Sequence, residues 1–233
     1  MCSSDLCGAT CSATYDYGDS VTLTATANAG YTLSTWTGAC SGAASTCTLT
    51  IDGPKTVGAT FTVNAYLVTV TGPAGAAVSN GTVAGLGISC PGDCTESYAY
   101  GTSVTLVATP ATGYSVGTWS GGTCSGSAAT CSFTVSDAVT VAVSFTKNNY
   151  TLTVTSPANG TITSGESPKK IDCGATCSAT YAYNDSVTLT ATAATGYTLS
   201  TWTGACSGSA STCTRSEEHT SELQSRLHLV CRL

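Results

Sequence analysis

Between Cys7 and Thr214 the chain contains no histidine and no arginine; both histidines (His219, His228) and all three arginines (Arg215, Arg226, Arg232) stand beyond that stretch. A serine or cysteine nucleophile there has no imidazole to activate it, so no catalytic residue and no enzyme activity are expected. The same stretch carries four lysines against nine acids. It lacks the clustered cations that grip a phosphate backbone, and a nucleic-acid partner is not expected. Long apolar runs are missing too. None approaches the roughly 20 residues that cross a bilayer as a helix, and no membrane insertion is expected of this sequence. Charged residues are only 9% of the chain, which leaves a surface coated largely by hydroxyls and small side chains.

What is present repeats. Cys7 to Thr48 returns from Cys173 to Thr214 with five differences in forty-two positions, and a looser copy runs from Cys90 to Ser132. Cys7, Cys90 and Cys173 are spaced by 83 residues, as are Trp36, Trp119 and Trp202. A fixed period of this kind marks tandem units. At that size a single hydrophobic core is thin and staples are usual. Twelve of the fourteen cysteines fall into three sets. These are Cys7, Cys11, Cys40, Cys47; Cys90, Cys94, Cys124, Cys131; and Cys173, Cys177, Cys206, Cys213. Zinc competes for any four cysteines, but these pairs lack short-knuckle spacing and no histidine joins them. Local disulfides are expected, Cys7 with Cys11 and Cys40 with Cys47, and likewise in each copy, with no metal and no cofactor. Turns must close CGATC and CPGDC, because four extended steps would hold the α-carbons about 13 Å apart. Disulfides place the protein in an oxidising compartment, secreted or at a cell surface.

Alternation fixes the local structure. In SVTLTATA, Val21, Leu23 and Ala25 fall on one face and Thr22, Thr24 and Thr26 on the other, the period of a half-buried strand. Tyr66, Val68 and Val70 alternate likewise, as do Tyr150, Leu152 and Val154. The expected class is all-β, a tandem array of small disulfide-stapled antiparallel β modules. Only four residues separate Phe61 from Tyr66 and Phe145 from Tyr150, too few for a flexible linker, so a fairly stiff succession is expected.

Residues 1–6 (MCSSDL) and 215–233 share neither composition nor period with the repeats. Back-translated, both read as one sequencing-library adapter in opposite orientations, and neither is expected to carry function. On that reading the array is repeat 1 (7–65, front missing), repeat 2 (66–148, complete) and repeat 3 (149–214, end missing). The one helical pattern, Ser216 to Leu229, lies in the adapter-derived segment. Incomplete repeats should leave apolar faces uncovered, in repeat 3 around Tyr150, Leu152, Val154, Val187 and Leu189. The polar tail is not expected to cover them.

Candidate binding residues are aromatic. Tyr15 and Tyr17, Tyr98 and Tyr100, and Tyr181 and Tyr183 form YxY pairs whose rings share one side of a strand, a candidate ligand-facing surface. The tryptophans are assigned to the core, because large apolar residues are so few. Asp19 and Asp185 precede the SVTL strand where repeat 2 has Thr102, and a turn-forming role explains them.

A leading YTLTVT strand, a PANGTIT turn, the bracket CGATC, then SVTLTATAATGYTLSTWTGACSG and a closing strand such as VGATFT resemble the divergent B-repeats of internalin type. The resemblance covers nearly all of residues 7–214. It implies a small all-β module of multidomain bacterial surface or secreted proteins, used as a spacer or adhesion element, and no catalytic residue. The expected partner is a surface ligand, glycan or protein. The alternative is a set of carbohydrate-binding accessory modules of a secreted hydrolase.

Overall fold

The computed structural model describes residues 11–216 and 228–232. Among them are twenty strands and one short 3₁₀ turn at Pro73–Gly75. The chain divides into two compact units, residues 1–108 with 118–144 and residues 109–117 with 145–233.

In the first unit β1 (Ser20–Thr24) pairs with β3 (Thr46–Thr50), and β2 (Tyr31–Gly38) with β4 (Val57–Val63), both antiparallel. There follow β5 (Ala65–Thr71), β6 (Gly81–Ala84), β7 (Ser89–Cys90), β8 (Thr95–Ala99), β9 (Ser103–Pro110), β10 (Tyr114–Ser120), β11 (Thr130–Thr134) and β12 (Val139–Lys147). They make two four-stranded sheets, ordered β10-β12-β5-β8 and β11-β9-β6-β7. Antiparallel pairs dominate, but β5 and β12 lie side by side in parallel, with Val68 opposite Val139 and Val70 opposite Val141. The alternation read from the sequence is visible in β9. Val104, Leu106 and Ala108 are buried, while Ser103, Thr105 and Val107 face out. Val68, Val70, Val141 and Val143 of the other sheet are buried as well, and full burial of each such side chain stabilises by about 1.5–3 kcal/mol.

The second unit repeats the plan with β13 (Asn149–Val154), β14 (Gly160–Ser164), β15 (Asp172–Cys173), β16 (Ser178–Ala182), β17 (Ser186–Ala193), β18 (Thr201–Thr203), β19 (Thr212–Ser216) and β20 (His228–Arg232). Its sheets are β16-β13-β20-β18 and β15-β14-β17-β19. One buried cluster joins Leu152 and Val154 to Ile162, Ile171, Val187, Leu189 and Trp202.

That cluster corrects the expectation of an uncovered face in this repeat. Leu152, Val154, Val187 and Leu189 are buried, and only Tyr150 of the five named residues is exposed. The slot next to β13, which β12 fills beside β5, is taken by β20. Val154 stands opposite Leu229 in parallel, and Trp202 opposite Cys231 in antiparallel sense. Backbone hydrogen bonds hold a strand in such a slot whatever its side-chain pattern. The helical reading of Ser216–Leu229 is corrected at both ends, since Ser216 belongs to β19 and His228 and Leu229 to β20; 217–227 lie outside the described residues. The uncovered face is found instead in residues 11–63, where only Trp36 and Cys40 are buried among the apolar residues and Tyr15, Tyr31 and Val63 are exposed.

Candidate functional site

The best-defined local constructions are the three cysteine loops. Disulfides join Cys40 to Cys47, Cys124 to Cys131 and Cys206 to Cys213, with α-carbons 6.1, 5.6 and 6.1 Å apart. Cys90 and Cys173 pair with Cys94 and Cys177 at 4.6 and 4.3 Å. Cys11 is exposed, and its expected partner Cys7 lies outside the described residues. Each long loop is also pinned by a buried tryptophan. The indole N–H of Trp36, Trp119 and Trp202 donates to the carbonyls of Ala44, Ala128 and Ala210 at 2.7, 2.8 and 2.6 Å. The backbone N–H of the same residues donates to Gly42, Gly126 and Gly208 at 2.9, 2.7 and 2.7 Å. A tryptophan is used here because it fills the core and still satisfies its polar edge.

The YxY pairs separate into two roles, which corrects their reading as one ligand-facing surface. Tyr98 and Tyr181 are each 5% exposed and belong to the core. The Tyr98 hydroxyl donates to the Leu86 carbonyl, and that of Tyr181 to Glu166 Oε1 at 2.7 Å. The second tyrosines follow β8 and β16 into a turn. There Tyr100 and Tyr183 receive the backbone of Gly30 and Gly113, where a Cβ would clash at 2.1 Å from the nearest ring carbon. Tyr15 and Tyr17 are both exposed.

An asparagine completes each of these contacts. The Asn64 N–H donates to Gly30 O at 2.8 Å, and Tyr100 N–H donates to Asn64 O at 2.8 Å. Asn148 repeats both bonds with Gly113 and Tyr183 at 2.8 Å. The side-chain oxygens of Asn64 and Asn148 accept from Thr32 at 2.6 Å and Ser115 at 2.5 Å. Edge-on rings flank the contacts, Tyr66 with Tyr100 at 6.5 Å and Tyr114 with Tyr183 at 6.3 Å between centroids. Sequence reasoning missed the asparagines; their signal was the same residue type in both four-residue connections.

One polar cluster is built around a buried hydroxyl. The buried Ser164 hydroxyl accepts from Ile171 N–H at 2.9 Å and Lys170 N–H at 3.2 Å, and the Lys170 ammonium lies 4.7 Å from the Tyr181 ring centroid. Burial, then the bond to Glu166, pushes the Tyr181 phenol up to about 12. Burial pushes the Glu166 carboxyl up, but donors led by Tyr181 outweigh it and hold the group below its ordinary value. Tyr98 is raised by burial and by Glu96 and Asp93. Asp19 and Asp185 cap turns, accepting from Asp16 N–H at 3.0 Å and Ala182 N–H at 3.1 Å. Among the described residues no three metal-ligating side chains converge, and no helix is long and apolar enough to cross a membrane.

The family model described as the divergent InlB B-repeat domain matches residues 7–65, 66–149 and 150–221. The chain belongs to this family. The Gly30–Asn64–Tyr100 contact therefore runs from the first matched B-repeat to the second, and Gly113–Asn148–Tyr183 from the second to the third. The third match continues past Thr214, into the segment expected from the sequence to be adapter-derived. No curated protein matches the chain. Among solved structures it is similar to the Bacillus anthracis TIE protein, with a TM-score of 0.39 and 8% identity over 92% of this chain and 51% of that one. The chain thus spans about half of that protein's length.

Proposed function

We propose that this chain is a tandem B-repeat spacer and adhesion segment of an exported bacterial protein, divided into modules at 7–65, 66–148 and 149–214. The observation that carries this reading is the asparagine contact built twice from the same bonds. Backbone bonds from Asn64 and Asn148 to both neighbouring repeats oppose hinge motion at these connections. The five disulfides support an oxidising, extracellular setting. The chain is non-catalytic in this reading, uses no metal or cofactor, and presents its exposed rings to a glycan or protein on a surface. The burial of Tyr98 and Tyr181 speaks against a flat sugar-stacking platform, which needs both rings of each pair.

Small-angle scattering of the dilute full chain tests the spacer role. A single profile that persists when salt is raised is expected. A profile of independently tumbling beads would overturn it, because the connections would then be hinges.

A further inference from the structure

A turn that carries the chain from one sheet of a B-repeat to the other meets the second tyrosine of the next repeat at Gly30 with Tyr100 and at Gly113 with Tyr183. A third turn and a third tyrosine share the local build of these contacts. At the turn, Tyr197 N–H donates to Ala194 O at 3.0 Å, matching the 3.0 Å bonds from Tyr31 to Asn28 and from Tyr114 to Ala111. Gly196 holds φ +85°, beside +78° at Gly30 and +79° at Gly113, and nothing lies within 4 Å of where its Cβ would stand. The turn after Tyr17 is likewise preformed. Gly18 N–H donates to Ile51 O at 2.8 Å as Gly101 N–H donates to Val135 O at 2.8 Å after Tyr100. Yet Tyr17 is 86% exposed.

We propose that Tyr17 and the Gly196 turn are the two halves of a head-to-tail contact between copies of this chain, the ring of one copy seated on the bare glycine of the next. The occupant is argued from the two internal contacts, which show the chemistry each half accepts: a planar ring for the glycine, a turn without a side chain for the ring. Because the halves differ, the contact is heterologous and propagates into open chains instead of closing as a dimer. Within the chain the same contact is strengthened by tethering through Asn64 or Asn148, so between chains it is weaker and depends on concentration. The proposal rests on the array reading above and extends it from neighbours in one chain to neighbours in two.

Sedimentation velocity on the full chain, taken up to about 1 mM, where weak contacts register, tests it. The native chain is expected to form a growing series of species. Tyr17→Ser and Gly196→Asn are each expected to remain monomeric with unchanged melting, since Tyr17 is exposed and asparagine tolerates the left-handed backbone while filling the seat. Mixed in equal amounts, the two variants retain one intact half each and should form a dimer and nothing larger. A native chain that stays monomeric, association that survives in either variant, or a mixture that fails to pair would each overturn the proposal. Survival would assign the association to exposed strand edges in residues 11–63. Scattering from the dilute monomer judges the array reading separately.

Discussion

Gly113 sets its bare α-carbon against Tyr183 so closely that a Cβ would stand 2.1 Å from the nearest ring carbon. Its φ of +79° adds a second demand, because this left-handed region costs a side-chain-bearing residue about 1–2 kcal/mol. Gly113→Ala incurs both penalties, whereas Gly196→Ala, with open space around it, incurs only the second. Thermal melts are expected to show a loss of about 1 kcal/mol for Gly196→Ala and at least twice that for Gly113→Ala. Equal losses would mean the ring contact contributes nothing.

Trp119→Phe keeps most of the buried ring but removes the indole donor to Ala128. The exposed Ala128 carbonyl loses its partner, and a hydrogen bond of this kind contributes about 0.5–1.5 kcal/mol net. Urea unfolding of the full chain should show that loss with an unchanged slope. The Cys124–Cys131 bridge should survive in the variant, as peptide mapping would reveal.

By chain entropy the disulfides contribute about 2 kcal/mol each when they enclose the four-step turns and about 2.5 kcal/mol when they enclose the seven-step loops. Replacing Cys124 and Cys131 together by serine is expected to lower the melting transition by the larger amount. Mapping of the oxidised native chain should recover the five local pairs alone among Cys40, Cys47 and the cysteines from Cys90 to Cys213. A crosslink from Cys90 to Cys131 would contradict the structure.

The Tyr181 phenol is raised from 10.0 to about 12, so it keeps its proton in the folded state after the unfolded chain has lost it. Its contribution is complete below about pH 10 and falls away as pH rises toward 12. Glu166, held low, acts oppositely. Its contribution is present above the ordinary carboxylate range and is lost as pH drops through the lowered value. Tyrosinate absorbance during alkaline titration should show late-ionising groups, and Tyr181→Phe should remove one of them. A late component of undiminished size in that variant would refute the assignment.

Period and alternation make most of this fold legible in the sequence. The 83-residue spacing of the tryptophans locates the cores around Trp119 and Trp202 and the thinner packing around Trp36, and the inward set Val104, Leu106, Ala108 follows from strict alternation. The YxY pairs escape that rule for a specific reason. Alternation places Tyr98 and Tyr100 on one side of a strand, but β8 ends at Ala99, and beyond a strand's end the rule no longer governs. The partner of Tyr100 is Gly30, far away in sequence, and a glycine that must stay bare for a ring looks like any turn glycine. The slot filled by β20 is equally hidden. It is held by backbone bonds to β13 and β18, which side-chain patterns do not encode.

The parallel register of β5 and β12 matters once the chain is placed under tension. β5 opens the second B-repeat and β12 closes it, so a pull on the two ends drags these neighbours along their lengths in opposite directions. The bonds linking Val68–Thr71 to Val139–Ala142 then lie across the load and have to shear together. An antiparallel hairpin pulled at its open end would instead lose its bonds in succession, like a zip. β13 and β20 are joined in the same sense. How far such a module yields to stretching is therefore decided by which two strands are neighbours, more than by the surface it buries.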